Sequence, residues 1–187
     1  MFDSVAPCFL LATPTLLDPN FLRTAVLLFH HSEEGAMGLV INRPSDQPLG
    51  QVLETMDIDV GGKGHVLLEQ SILIGGPVRT NAGWMIFEGD DPTGQSIPIE
   101  DGLNVTGSME VFKRLLSGSD KTRAEFLVGY AGWGAGQLEA EMEEGAWMPA
   151  PLDRRTLFET PYQDRWRRSF LSIGVDPSMW SFVQGEG

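Results

Sequence analysis

The chain has 187 residues, 42% of them hydrophobic and 21% charged, and its 26 acidic and 13 basic residues give a formal charge of −13. Length and balance suit one globular domain spanning 1–187 and exclude wholesale disorder. The acidic surplus disfavours a direct grip on DNA or RNA, which needs a basic surface, and disfavours docking on anionic lipid.

The opening "MFDSVAPCFLLATP" lacks a basic n-region and carries Asp3, so it does not read as a signal peptide. Cys8 is the single cysteine; no internal disulfide can form, which fits a reducing cytosol. "LLDPNF" reads as a turn, with Asp18 closing an Asx-turn and Pro19 fixing φ. "FLRTAVLLFHH" and "MGLVINRP", parted by "SEEGA", predict a β-hairpin whose second strand ends at Pro44. Its apolar runs are far too short to span a bilayer, so a cytoplasmic protein without membrane contact is expected. "QPLGQVLETM" predicts a short helix with Leu49, Val52, Leu53 and Met56 on one face.

"DVGGKGH" predicts a glycine-rich loop, and "SILIGGPV" and "GWMIFEG" two strands around a turn at Gly75, Gly76 and Pro77. "QSIPIEDGLNV" is strand-like and irregular. Met109 to Leu116 predicts a helix with Ser108 as N-cap and Gly118 as C′. "AEFLVGY" is a core strand running into the glycine-rich turn "AGWGAG". "GQLEAEMEE" is a helix of a turn or two closed by Gly145, and "AWMPAP" is extended. "YQDRWRRSFLSIG" is a helix closed by Gly174, and "DPSMWSF" makes a short last turn. Strands and helices do not alternate, so the fold class is α+β with a mixed or mainly antiparallel sheet.

The strong catalytic and cofactor motifs are missing. Lys63 in "GGKGH" has no following Ser or Thr, so the phosphate-loop pattern fails, and GxGxxG fails because Gln137 stands where Gly132 would need its last glycine. There is no GxSxG, HExxH or CxxC. His30 and His31 adjoin on a strand and point to opposite faces, so they do not share a metal. Cys8, between Pro7 and Phe9, reads as a small buried hydrophobe. No metal and no cofactor is expected.

"GYAGWGAGQLEAE" is the most unusual run. A glycine-rich turn before a helix can expose N–H groups to an anion, with the amide of Gln137 available in the first turn. Glu139 and Glu141 oppose that, since they complement the helix dipole themselves. A tight corner that packs Trp133, with Gly132 and Gly134 freeing the backbone, is the alternative. Arg43 in "INRP" either binds a substrate carboxylate or pairs with a local acid. Arg165 and Arg168 share a helix face, read as solvated or as a dock for an acidic partner.

The blocks "FLLATPTLLDPNFLRTAVLLFHHSEEGAMGLVINRP", "GGPV", "GYAGWGAGQLEAEMEEGAWM" and "RWRRSFLSIG" together resemble the AlgH/YqgE family of bacterial proteins. The resemblance covers nearly the whole chain. It implies a single cytosolic α+β domain, with a strongly bent sheet forming a barrel-like core and helices packed around it. The family carries a transcriptional-regulator label, from a link to alginate control, and offers no agreed catalytic residues. Family members often have a histidine on the strand after "GGPV", where this chain has Phe87. Asp18, Pro19, Asn20, Arg43, Pro44, Gly75, Gly76, Pro77, Gly132, Trp133, Gln137, Leu138 and Glu139 fall in its motifs.

Three functional readings follow. The first is a regulatory or interaction protein acting through a protein partner or small ligand, not on DNA directly. Its candidate contacts are Asn20, Arg43, Gly75, Gly76, Gly132, Trp133, Gln137 and Glu139. The second is an enzyme of unrecognised type with a pocket floored by Trp133, Gln137 and Arg43. The third is a DNA-binding regulator, which needs a basic face around Arg154, Arg155 and Arg165 to Arg168.

Overall fold

The computed structural model describes residues 3–59, 65–118 and 122–182. The expected glycine-rich loop and Lys63 lie outside the described residues, apart from the flanking Asp59 and His65.

Ten strands are described: β1 Cys8–Ala12, β2 Ala25–Ser32, β3 Gly35–Val40, β4 Pro44–Pro48, β5 Ser71–Ile74, β6 Val78–Glu88, β7 Ile97–Glu100, β8 Leu103–Thr106, β9 Ala124–Gly134 and β10 Trp147–Ala150. The helices are α1 Leu49–Thr55, α2 Met109–Leu116, α3 Gln137–Glu143, α4 Arg154–Phe158 and α5 Tyr162–Ser172. The α+β class is borne out. Strands run β10-β1-β2-β3-β9-β6-β8-β7, and β5, which also pairs with β4, lies parallel to β9. Every other pairing described is antiparallel.

The sheet is bent around its core but open, with β10 and β7 at its ends. Phe9 on β1 and Val105 on β8, well separated in the strand order, belong to the same buried cluster, which Leu157 of α4 and Phe170 of α5 complete. Alternate residues of the same strands face elsewhere. Leu10, Val26 and Leu28 pack with Trp133, Leu138 and Trp147 under α3. Met85, Phe87 and Phe126 pack with Leu53 of α1 and Val111 of α2. Burial on both faces explains why "CFLLA" and "AVLLF" are apolar throughout rather than alternating.

The β2–β3 hairpin, the Asp18 turn and α2 match expectation. Asp18 Oδ1 accepts the Asn20 N–H at 2.8 Å, and Ser108 caps α2 by accepting the Val111 N–H at 3.5 Å. The two strands around Gly75, Gly76 and Pro77 are present as β5 and β6, each paired with β9 rather than with the other. Three expectations need correction. The second hairpin strand ends at Val40, and Pro44 opens β4 instead. The glycine-rich "AGWG" is strand, not turn: β9 runs on to Gly134, where residues 131–134 pair with β3. Arg165 is not on a solvated face. It is 2% exposed, and its Nη2 sits 2.5 Å from Glu125 Oε1, joining α5 to β9.

The glycines of "GGP" and "VGYAG" serve the crossing of two backbones. Gly75 N–H donates to Val128 O at 2.8 Å, and a Cβ on Gly76 would lie 2.2 Å from the Tyr130 carbonyl carbon.

Candidate functional site

Part of the set that stood out in sequence, Trp133 and Gln137 with Asn20 and Arg43 beside them, meets at one corner, where most of its polar atoms are already used. Gln137 opens α3; its Oε1 accepts the Gly134 N–H at 3.0 Å, and its Nε2 donates to Glu141 Oε1 at 2.8 Å. Glu141 Oε2 accepts both indole N–H groups, from Trp133 at 2.9 Å and Trp147 at 2.8 Å. Buried indoles need such an acceptor. Phe21 stacks on Trp133 and meets Trp147 edge-on, with centroids 6.3 and 5.4 Å away.

Phe21 sits in the turn that Arg43 closes. The Arg43 guanidinium donates to three backbone carbonyls, those of Asn20 at 2.6 Å, Pro19 at 2.8 Å and Leu22 at 3.3 Å. The Asn20 side chain is exposed. Glu139 turns the other way, 3.1 Å from His31 Nε2, while His31 Nδ1 accepts the Val5 N–H at 3.1 Å. With Nδ1 accepting, Nε2 is the ring nitrogen that faces Glu139 as donor. His30 is exposed and His31 buried, so the two point apart as expected.

The structure thus brings Trp133 and Gln137 together, and Asn20 to Arg43, with Phe21 bridging the pairs. Gly75 and Gly76 lie against β9 near Gly129 and Tyr130, and Gly132 lies over the Tyr130 ring. Cys8 is buried, and burial pushes its thiol up to about 12, away from thiolate chemistry.

A second feature lies on the opposite arm of the sheet. α1 and α2 straddle the β6–β9 face and leave a cleft of about 220 Å³ between them. Leu53, Met56, Met85, Met109, Phe112 and Phe126 are among its walls, and among the described residues no lining side chain is charged. Met56 and Met109 stand 57% and 45% exposed. Gly83 borders the cleft two residues before Met85, so both lie on one face of β6. A Cβ built on Gly83 meets no atom within 4 Å, so its missing side chain leaves this space open. Just before it, β6 breaks register with β9 between Val78 and Gly83, and Arg79 there has φ 44°. A bulge with a strained non-glycine residue is a feature that often borders functional sites.

Sequence reading had half of this cleft. The apolar stripe of α1, Leu49 to Met56, was visible by its spacing, and all four of its members line the cleft. Gly83 carried no signal, since a glycine opening "GWMIFEG" reads as a strand boundary.

The arginines do not form a bare basic face. Arg154 lies beside Glu88 and Glu100, Arg155 beside Glu159, Arg167 beside Asp176 and Arg168 beside Asp153. Arg165 is buried. Among the described residues no helix is long and apolar enough to cross a membrane.

Comparison with known proteins places this architecture. A family model described as AlgH-like matches residues 9–178. The chain belongs to this AlgH-like family. A UPF0301 protein of Xylella fastidiosa is 42% identical over 167 residues, covering 89% of this chain and 88% of the relative. A UPF0301 protein of Xanthomonas campestris is 41% identical over the same length and the same shares. The solution structure of the AlgH protein from Pseudomonas aeruginosa matches with a TM-score of 0.78 and 33% identity, covering 100% of both chains. A crystal structure from Corynebacterium diphtheriae, at 23% identity, shares the fold with a TM-score of 0.66 over 89% of this chain and 86% of that one. The Phe87 position, where a family histidine was expected, is 1% exposed and packs in the α1–α2 cluster.

Proposed function

We propose that the protein is a cytosolic regulatory protein that acts through a small molecule held in the α1–α2 cleft, and through it on a protein partner, without gripping DNA itself. The observation that carries this reading is the cleft: an apolar space of about 220 Å³ beside a strained bulge, left open by a strand glycine. Concave, mostly apolar pockets with a few polar groups are the usual form of small-ligand sites.

The lining argues for binding rather than chemistry. Among the described residues it contains no His, Cys, Asp, Glu, Lys or Arg to move a proton or attack a bond. Its two hydroxyls are engaged: Ser108 Oγ donates to Gln95 Oε1 at 2.5 Å and Thr106 Oγ1 to the Gln95 carbonyl at 3.3 Å. A net charge of −13 and arginines already set beside acids argue against phosphate contacts.

Selection of the purified protein against a random double-stranded DNA pool at physiological salt tests the second half of this reading. No enriched sequence is expected. Recovery of a specific, salt-resistant site would show a DNA-binding regulator instead.

A further inference from the structure

We infer that the cleft takes an uncharged, largely apolar small molecule of one or two rings, carrying one hydrogen-bonding group that meets Asn81. This rests on the ligand-binding reading above and adds the ligand's chemistry.

Size comes first. A cleft of about 220 Å³ lies below the roughly 300–1,000 Å³ usual for drug-sized ligands, which points to a ligand of one or two rings.

Charge comes second. With no ionised side chain among the described residues of the walls, a buried carboxylate, phosphate or ammonium would lose its hydration and gain no counter-charge there. Shape preference follows from Phe112 and Phe126, whose rings meet edge to face at 4.9 Å, and from Met56, Met85 and Met109 around them. Aromatic edges and flexible thioethers suit a flat ring and adapt to its outline.

Two lining residues keep an unpartnered polar group among the described residues, the buried Trp84 indole N–H and the exposed Asn81, and the polar end follows from the one at the open edge. Ser108 and Thr106 spend their hydroxyls on Gln95. Asn81, in the β6 bulge, lines the cleft and is exposed, and among the described residues its side chain makes no hydrogen bond. It can donate and accept at once, matching an amide or a hydroxyl.

The test uses three probes with one ring system: naphthalene-2-carboxamide, naphthalene-2-carboxylate and 2-naphthylmethylammonium, titrated calorimetrically into the full chain at pH 7. The amide is expected to bind on the order of a hundredfold more tightly than either ion, since only the ions bury a charge. Gly83→Phe, which places a ring in the open space, should remove binding without lowering the melting temperature. Val52→Phe, from the α1 wall, is the second blocking variant should Gly83→Phe fold poorly. Asn81→Leu should weaken the amide about tenfold and leave unsubstituted naphthalene unchanged.

An ion that binds as tightly as the amide, and is still blocked at Gly83, overturns the ligand class and leaves the binding reading standing. Binding that survives both blocking variants overturns the site. Failure of every probe, or a concentration-dependent doubling of mass that both variants abolish, overturns the ligand-binding reading as well; the doubling would mean that a second copy covers the cleft.

Discussion

Replacing Arg165 with methionine is expected to cost about 3–5 kcal/mol of stability, the penalty for stranding a buried charge. Arg165 ties three separate stretches of chain to α5. Its Nη2 meets Glu125 on β9, its Nη1 donates to the Ile41 carbonyl at 2.7 Å, and its Nε donates to the Thr160 carbonyl at 3.0 Å. The Tyr162 ring lies under the guanidinium at 4.5 Å, and its hydroxyl donates to the other Glu125 oxygen at 3.3 Å. Burial raises the Glu125 carboxyl above its ordinary range, and the Arg165 charge pulls it back. Methionine removes that pull, so the carboxyl rises further.

The pH dependence follows. Above the ordinary glutamate value of about 4.3, the unfolded chain has released this proton while the folded variant still holds it. Variant stability therefore falls as pH rises through that window, and the deficit against wild type is smallest at the acid end. Urea unfolding at pH 5 and pH 8 reads this directly. A deficit equal at both values would show that packing, not the uncompensated charge, dominates. Adding Glu125→Leu to Arg165→Met should recover most of the loss, because hydrophobic replacement of a whole buried pair is often neutral.

The second large effect is expected at Gly76. Alanine there is expected to lower stability by more than about 4 kcal/mol, enough to prevent folding of many domains of this size. Its φ of 151° is one that L side chains rarely adopt, and the added Cβ would meet Tyr130 C, Tyr130 O and Ala131 N at 2.2, 2.3 and 2.5 Å. These are backbone atoms of the central strand, which cannot swing away as a side chain would. Gly83→Ala is the control: its Cβ meets nothing within 4 Å, so a change within about 1 kcal/mol is expected. Denaturant midpoints of the two variants compare them. Equal, small losses would mean that the crossing of the β5–β6 connection over β9 is looser than its geometry.

What sequence made legible was local. The β2–β3 hairpin follows from two apolar runs about a short break, α2 from its Ser108 cap and following Gly118, and α3 and α5 from the glycines that close them, Gly145 and Gly174, both at φ 77°. What stayed hidden depends on partners far along the chain. Arg165 looked solvated because it stands beside Arg167 and Arg168 on its helix, and its partner Glu125 lies 40 residues earlier. A lone acid in the apolar run "AEFLVGY" was the available hint. β1 and β4 went unassigned, and so did α4, a helix of only 5 residues.

The glycine-rich stretch misled for a physical reason. Glycines mark turns, but they also mark backbones in close approach, and Gly129, Gly75 and Gly76 serve the second purpose. Trp133 and Gln137 were rightly seen as neighbours. Their polar atoms are spent on Glu141 and Gly134, so the corner holds α3 and β10 together. The cleft was half legible, as the stripe of α1. Its other half, the space over Gly83, has no counterpart in any motif, because an absent side chain leaves no pattern.

Native mass spectrometry of the protein purified from its own host, beside its Gly83→Phe variant, tests the central claim most directly. The ligand-binding reading predicts a mass excess of a small neutral molecule on the wild-type chain that the variant lacks. A bare-chain mass for both, or an excess that Gly83→Phe leaves untouched, would contradict it and turn attention to the protein's outer surfaces.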